Sequence, residues 1–105
     1  MSLKKQFLKS KPVCKVTFSM PKEAAVDAND VKVVGEFNDW DVETAVPMKA
    51  LKNGSFKAVV ELEAGREYQF RYIVNGDTWA NDAEADRYVP TPFGVENGVV
   101  DVSDN

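Results

Sequence analysis

Two tryptophans stand in polar turn-like segments of this sequence, and they are the residues best suited to bind a ligand. Trp40 lies in the segment NDWD, and Trp79 follows the Asn75-Gly76 turn signal in the segment GDTWAND. An indole ring offers a flat apolar face and keeps one N–H donor, which suits the C–H face of a sugar ring. The pattern predicts an aromatic platform formed by Trp40 and Trp79. The alternative is that one or both are core residues, because tryptophan is usually largely buried.

Polar side chains near the tryptophans are candidates for holding sugar hydroxyl groups. Arg71 and Ile73 alternate with inward-facing aromatic residues, so we predict that both point outward from the strand that leads into the Asn75-Gly76 turn. Asn97 precedes Gly98, and this dipeptide signals another tight turn. Arginine and asparagine donate hydrogen bonds in fixed directions, as the hydroxyl rim of a sugar requires. We therefore predict that Arg71 and Asn97 lie beside the platform.

Acidic residues in predicted loops are a second possible source of chemistry. They are Asp39, Asp41, Asp77, Asp82, Glu84 and Asp86. A glycosidase needs two carboxylates across a cleft, and a domain of this size has little bulk for a deep one. The alternating acids from Asp82 to Asp86 could bind calcium weakly, but they lack the glycine and terminal glutamate of an EF-hand loop. We interpret them as a solvated acidic loop, and we expect no catalytic residue, no metal and no cofactor.

The composition excludes several other functions. The sequence has no histidine, which removes the commonest general base and transition-metal ligand. Cys14 is the single cysteine, so it forms no intrachain disulfide, and its place in an alternating strand indicates a buried core residue. The net charge of −4 argues against nucleic-acid and anionic-membrane partners. No apolar run approaches the ~18 residues that span a bilayer, and the N-terminus lacks a secretory signal, so we expect a cytoplasmic protein.

Short alternating segments separated by turn signals must position these residues. The strand-like segments are 13–20, 31–37, 56–62, 68–74 and 99–102. Asn53-Gly54 signals a type I′ hairpin, and Gly35 within a strand indicates a bulge or a close backbone approach. Prolines confine 43–50 and 88–94 to sheet edges. Short strands at this spacing predict one all-β domain over 13–102, an immunoglobulin-like antiparallel β-sandwich of about 7 strands, with 103–105 as a tail.

Residues 1–12 are predicted to form a separate basic arm. Leu3, Phe7 and Leu8 have the spacing of one side of a short helix, and Pro12 marks its end. The lysines of this arm are Lys4, Lys5, Lys9 and Lys11. One interpretation is that the arm docks its apolar side on the domain. The alternative is an arm for partner binding or self-association.

Three segments together carry a resemblance to a known family: VVGEFNDWD, GSFKAVVELEAGREYQFRYIVNGDTWANDAEAD and PFGVENGVVDV. They resemble carbohydrate-binding module family forty-eight, which includes the glycogen-binding domain of the AMP-activated protein kinase beta subunit. They are also similar to the N-terminal early-set domains of isoamylases, pullulanases and glycogen-branching enzymes. The resemblance covers about residues 13–102, and its two tryptophan elements are specific when they occur together in this order.

The resemblance implies an early-set β-sandwich that binds an α-1,4-glucan such as glycogen, starch or a maltooligosaccharide. Trp40 matches the first stacking tryptophan, and Trp79 matches the second with one extra residue, Thr78, before it. Arg71 falls where the family has a sugar-contacting lysine, and Asn97 matches a hydroxyl-binding asparagine.

Two further positions of the family's sugar site differ in this sequence. Phe93 falls where the family has an apolar finger residue, usually leucine. Val95 replaces a threonine contact.

The resemblance also separates binding from catalysis. In the related glycoside hydrolases a catalytic barrel follows the early-set domain, and this sequence contains none, so we expect a non-catalytic, stand-alone module. Early-set domains of the enzymes often lack a working sugar site, and the presence of both Trp40 and Trp79 argues against that class. The alternative function is a protein-interaction or self-association module, accessory to a separate glycogen-metabolising glycoside hydrolase family enzyme.

Overall fold

Alternation of apolar and polar side chains along the longest strands gives two antiparallel sheets, each with an apolar face that packs against the other sheet. The computed structural model describes residues 3–25, 27–76, 78–82, 84–92 and 94–103. The first sheet has the order β1-β2-β6-β5, with β1 Leu3–Phe7, β2 Val13–Met20, β5 Lys49–Ala50 and β6 Phe56–Glu63. The second has the order β4-β3-β7-β10-β9, with β3 Val31–Gly35, β4 Val46–Pro47, β7 Glu67–Val74, β9 Arg87–Pro90 and β10 Glu96–Asp101.

The connections complete the sandwich and extend its second sheet. Strand β8, Thr78–Ala80, pairs with the end of β7, on the side where β10 pairs with its beginning. Three short 3₁₀ helices lie at Lys22–Ala24, Glu36–Asn38 and Val42–Thr44. The described chain thus has ten strands, and the predicted all-β sandwich is confirmed. The count exceeds about seven because the sequence pattern did not resolve the short strands.

The core lies between the sheets and is rich in aromatic rings. Phe70 of β7 is fully buried, and its ring contacts Phe18 edge-on at a centroid distance of 4.9 Å and Tyr72 at 5.7 Å. Cys14 is also fully buried, as predicted, and burial raises the pKa of its thiol. The inward side chains of β7 therefore fix which of its residues face outward.

The predicted N-terminal helix was wrong, because residues 3–7 form the edge strand β1. Leu3 lies opposite Phe18 of β2, and Phe7 lies opposite Cys14. Residues four apart share a face in a strand as well as in a helix, so the spacing of Leu3 and Phe7 fits both. The free edge of β2 decides the outcome, since pairing there satisfies backbone groups and buries Leu3.

The turn and edge predictions had mixed outcomes. Asn75 and Gly76 both have positive φ, so their tight turn is confirmed. At Asn53-Gly54 only the glycine has positive φ, and the N–H of Leu51 donates to the carbonyl of Ser55. This geometry is a three-residue hairpin loop, so the type I′ prediction was wrong. The proline-containing strands β4 and β9 lie at the edges of the second sheet, as predicted.

Asn97-Gly98 is not a turn but part of β10. A Cβ at Gly98 would lie 3.2 Å from the Cβ of Ala85 and 3.5 Å from the ring of Phe70. The glycine therefore permits a close approach inside the sheet rather than a positive φ. No helix in the described ranges is long and apolar enough to cross a membrane.

Candidate carbohydrate-binding site

The outer face of the second sheet carries an open cavity of about 760 Å³. Trp40, Arg71, Trp79 and Asn97, which the sequence singled out, all line it. Its other lining residues are Gln69, Pro90, Thr91, Pro92 and Val95. We call it the outer-face cavity. Phe93, the fifth predicted residue, lies outside the described residues.

A strained turn after β3 holds Trp40 at the cavity. Asp39 and Trp40 both have φ of 59°, which is rare for non-glycine residues and costs of order 1–3 kcal/mol. The turn is held by the Trp40 N–H, which donates to the carbonyl of Gly35 at 2.9 Å. The Asn38 side chain accepts from the Gly35 N–H at 3.0 Å and donates to the Asp41 carbonyl at 2.9 Å. Such strain is found most often at functional sites.

The start of this turn depends on the absence of a side chain at Gly35. A Cβ there would overlap the backbone oxygen of Gln69 and lie 2.9 Å from the Cβ of Phe70. The predicted close backbone approach is thus confirmed. Its consequence is that the Trp40 turn leaves β3 directly beside the middle of β7.

Trp40 packs on a small apolar cluster beneath it on the outer face. The cluster consists of Val34, Ala45 and Ile73. Ile73 points away from the inter-sheet core, as predicted, yet it is only 1% exposed because this cluster covers it. Trp40 is therefore supported from below, so its ring is partly buried while still lining the outer-face cavity.

Trp79 reaches the same cavity from β8. It lies opposite Ile73 of β7 and is 39% exposed. The Arg71 guanidinium carbon is 5.6 Å from the centre of the Trp79 ring, within cation–π range. The extra residue Thr78 therefore does not remove Trp79 from the cavity. The Nε of Arg71 is buried and has no hydrogen-bond partner in the described part of the chain.

Asn97 lies next to a residue that sequence reasoning missed. Its side-chain nitrogen donates to the side-chain oxygen of Gln69 at 3.0 Å. Gln69 and Arg71 are two residues apart on β7, so their side chains point to the same side of the sheet. Alternation along β7 therefore predicts that Gln69 faces outward like Arg71. The same alternation applies to every outward polar residue of the strand, so it did not single out Gln69 as a site residue.

Two of the loop acids, Asp82 and Asp86, have structural partners away from the outer-face cavity. Asp82 is 3% exposed, and it accepts hydrogen bonds from the Tyr72 hydroxyl at 2.6 Å and the Glu84 N–H at 2.7 Å. The prediction of a solvated loop was therefore wrong for Asp82. Burial raises the pKa of the Tyr72 hydroxyl strongly, and the neighbouring Asp82 charge raises it further.

Asp86 also interacts with other residues of this chain. Its carboxylate pairs with Lys5 of β1 at 2.7 Å and accepts from the Asp101 N–H at 2.7 Å. Asp77 lies outside the described residues. Among the residues that the structure describes, no group of three or more His, Cys, Asp or Glu side chains could hold a metal ion.

The outer-face cavity is lined by two indole rings, a guanidinium and two amides, and these are the features of a carbohydrate-binding surface. Comparison with family models agrees with this class. The chain belongs to the family described as "Glycogen recognition site of AMP-activated protein kinase", whose model matches residues 23–105. The resemblance drawn from the sequence is therefore confirmed.

Of two other comparisons, one found a similar structure, and it shows the fold alone. A search of curated proteins gave no match. Among solved structures, the fold is similar to the enterobactin esterase FES from Shigella flexneri, in a crystal structure obtained in the presence of 2,3-di-hydroxy-N-benzoyl-serine. The TM-score is 0.72 at 11% sequence identity, and the match covers 97% of this chain and 33% of the esterase chain. The chain thus corresponds to about one third of that enzyme's length.

Proposed function

We propose that this protein is a non-catalytic module that binds α-1,4-glucans such as glycogen, starch or maltooligosaccharides. The observation that carries the proposal is the convergence of Trp40, Arg71, Trp79 and Asn97 on one outer-face cavity. These residues come from four different elements of the second sheet and its turns. Their assembly on one surface is what a glucan site requires.

Each group has a separate task in the proposed complex. Trp40 and Trp79 stack on the C–H faces of glucose units, while Arg71 and Asn97 hold hydroxyl groups. Phe93 shapes the rim, as the resemblance implies. The cavity is open, so it buries less of a ligand than a cleft does, and we expect modest affinity.

The proposed role is binding rather than hydrolysis. Glycoside hydrolysis requires two carboxylates across the scissile bond. The residues that line the described cavity include no Asp or Glu. Purified protein should therefore release no reducing sugar from glycogen.

A titration with maltoheptaose tests the proposal. Wild-type protein should show quenching of tryptophan fluorescence, and calorimetry should give a saturable isotherm. Trp40→Ala or Trp79→Ala should each weaken binding roughly tenfold or more, since losing one stacking face removes about 1.5 kcal/mol.

A matched control is Val59→Ala, because Val59 is 53% exposed on β6 of the other sheet. This variant should bind maltoheptaose like the wild type. The proposal fails if the wild-type protein responds to no α-glucan, or if both tryptophan variants bind as well as Val59→Ala does.

A second candidate function is an accessory module that docks on a separate glycogen-metabolising enzyme or on another copy of itself. The observation in its favour is the outer edge of β1, which pairs only with β2 in the described part of the chain. Backbone groups on such an edge can add a strand from another chain. Lys4 lies on β1 and is exposed, so an acidic strand of a different protein fits better than a second β1. This edge belongs to the first sheet, so both functions are compatible.

A further inference from the structure

The hydrogen bond between Gln69 and Asn97 suggests a role for Gln69 that goes beyond lining the outer-face cavity. We propose that Gln69 is a positioning residue of the glucan site, which fixes the Asn97 amide so that its oxygen faces the ligand. The inference rests on the proposed function. It concerns Gln69, which acts on the sugar through Asn97.

The hydrogen-bonding capacity of the two amides supports this role. The Asn97 amide has two donor hydrogens and one acceptor oxygen. One donor is used by the Gln69 oxygen at 3.0 Å, which leaves the Asn97 oxygen to accept from a sugar hydroxyl. Without Gln69, the Asn97 side chain can rotate and present either its oxygen or its nitrogen. Holding it in one orientation lowers the entropic cost of binding.

Gln69 can hold Asn97 in place because its own backbone is hydrogen-bonded to the segment that follows β3. The Gln69 N–H donates to the carboxylate of Glu36 at 2.7 Å. Glu36 begins the short helix that leads into the Trp40 turn. The Gln69 carbonyl lies against Gly35, where no side chain intervenes. Gln69 thus joins the turn that holds Trp40 to the strand that holds Asn97.

The position of Asn97 within β10 gives this link a defined register. Asn97 lies opposite Val89 of β9, and Val99 lies opposite Gln69 of β7. Outward side chains on neighbouring strands are close enough to interact when they are diagonal to one another. The Gln69–Asn97 hydrogen bond is such a diagonal contact, and both partners are half-buried. The two side chains therefore form one polar unit at the cavity, in which Gln69 holds the Asn97 amide and the Asn97 oxygen is the acceptor for the ligand.

A double-mutant cycle distinguishes positioning from general structural support. The variants are Gln69→Leu, Asn97→Ala and the double variant, each titrated with maltoheptaose by calorimetry. Gln69→Leu should weaken binding about fivefold in the wild-type background. In the Asn97→Ala background the same change should have less than about a twofold effect, because Asn97 is the group through which Gln69 acts.

Two further variants keep the test decisive. Gln69→Thr is a second replacement that suits a strand but is too short to reach Asn97, and it should give the same loss if Gln69→Leu folds poorly. Gln6→Leu is the matched control, because Gln6 lies on β1 of the other sheet. It should bind maltoheptaose like the wild type.

The possible failures are distinguishable. An equal loss from Gln69→Leu in both backgrounds, or no loss in either, overturns the positioning role alone while wild-type binding stands. A wild-type protein that does not bind maltoheptaose overturns the proposed function and this inference together.

Discussion

Replacing Gly35 with alanine should damage both the fold and the proposed glucan site, because this residue lies where β3, β7 and the Trp40 turn meet. Gly35 lies opposite Phe70 of β7. An added methyl group would overlap the Gln69 backbone oxygen and lie 2.9 Å from the Phe70 Cβ. Phe70 is fully buried between Phe18 and Tyr72, so it cannot retreat.

The expected change in the free energy of unfolding follows from the kind of atoms that would collide. Overpacking costs about 1–3 kcal/mol, and a collision with backbone belongs at the upper end, near 3 kcal/mol. Alanine also restricts the unfolded chain, which raises the free energy of unfolding by about 0.7 kcal/mol. The expected net loss is therefore about 2 kcal/mol, or roughly 10 °C in Tm for a domain of this size.

The assay is thermal unfolding followed by circular dichroism, together with a maltoheptaose titration. Gly35→Ala should also weaken binding, because the Gly35 carbonyl and N–H anchor Trp40 and Asn38. Gly65→Ala is the control: Gly65 has a φ of +94° but no heavy atom within 4 Å of the added Cβ. It should lower Tm without changing maltoheptaose affinity. A Gly35→Ala protein with wild-type Tm and affinity would refute the reasoning.

Two further predictions concern the buried tyrosine and the edge strand. Burial raises the pKa of Tyr72 above its unfolded value of about 10, so its contribution to stability is present below pH 10 and lost at higher pH. Tyr72→Phe should lower the free energy of unfolding at pH 7 by about 1–3 kcal/mol, because Asp82 loses a hydrogen-bond donor. Urea unfolding should show that the free energy of unfolding falls less between pH 7 and pH 11 in this variant than in the wild type. Parallel pH profiles of the two proteins would contradict this. For the accessory function, Lys4→Glu should weaken binding to a purified glycogen-branching enzyme several-fold in biolayer interferometry, and an unchanged affinity would count against the β1 edge.

Features that depend on local residue pattern were predictable from the sequence. The alternation in β2 placed Cys14 in the core, and the prolines placed β4 and β9 at sheet edges. Gly35 indicated a close approach because few other roles explain a glycine within an apolar strand. The outward direction of Arg71 followed from the inward direction of its aromatic neighbours.

Features that depend on distant contacts were not predictable in the same way. Asn97-Gly98 has turn chemistry, but packing of Gly98 against Ala85 and Phe70 keeps it in a strand. The sequence places Asp82 in a loop, but it does not show that the distant Tyr72 hydroxyl donates a hydrogen bond to its carboxylate. The contact of Gln69 with Asn97 joins residues 28 positions apart, and only the register of β7 and β10 creates it.

The most direct test of the proposed glucan site is a two-dimensional NMR titration of ¹⁵N-labelled protein with maltoheptaose. The indole N–H signals of Trp40 and Trp79 and the side-chain amide of Asn97 should shift together with one dissociation constant. Signals from β1, β2 and β6 should stay in place. The account is contradicted if the indole signals do not move, or if the shifts concentrate on the first sheet.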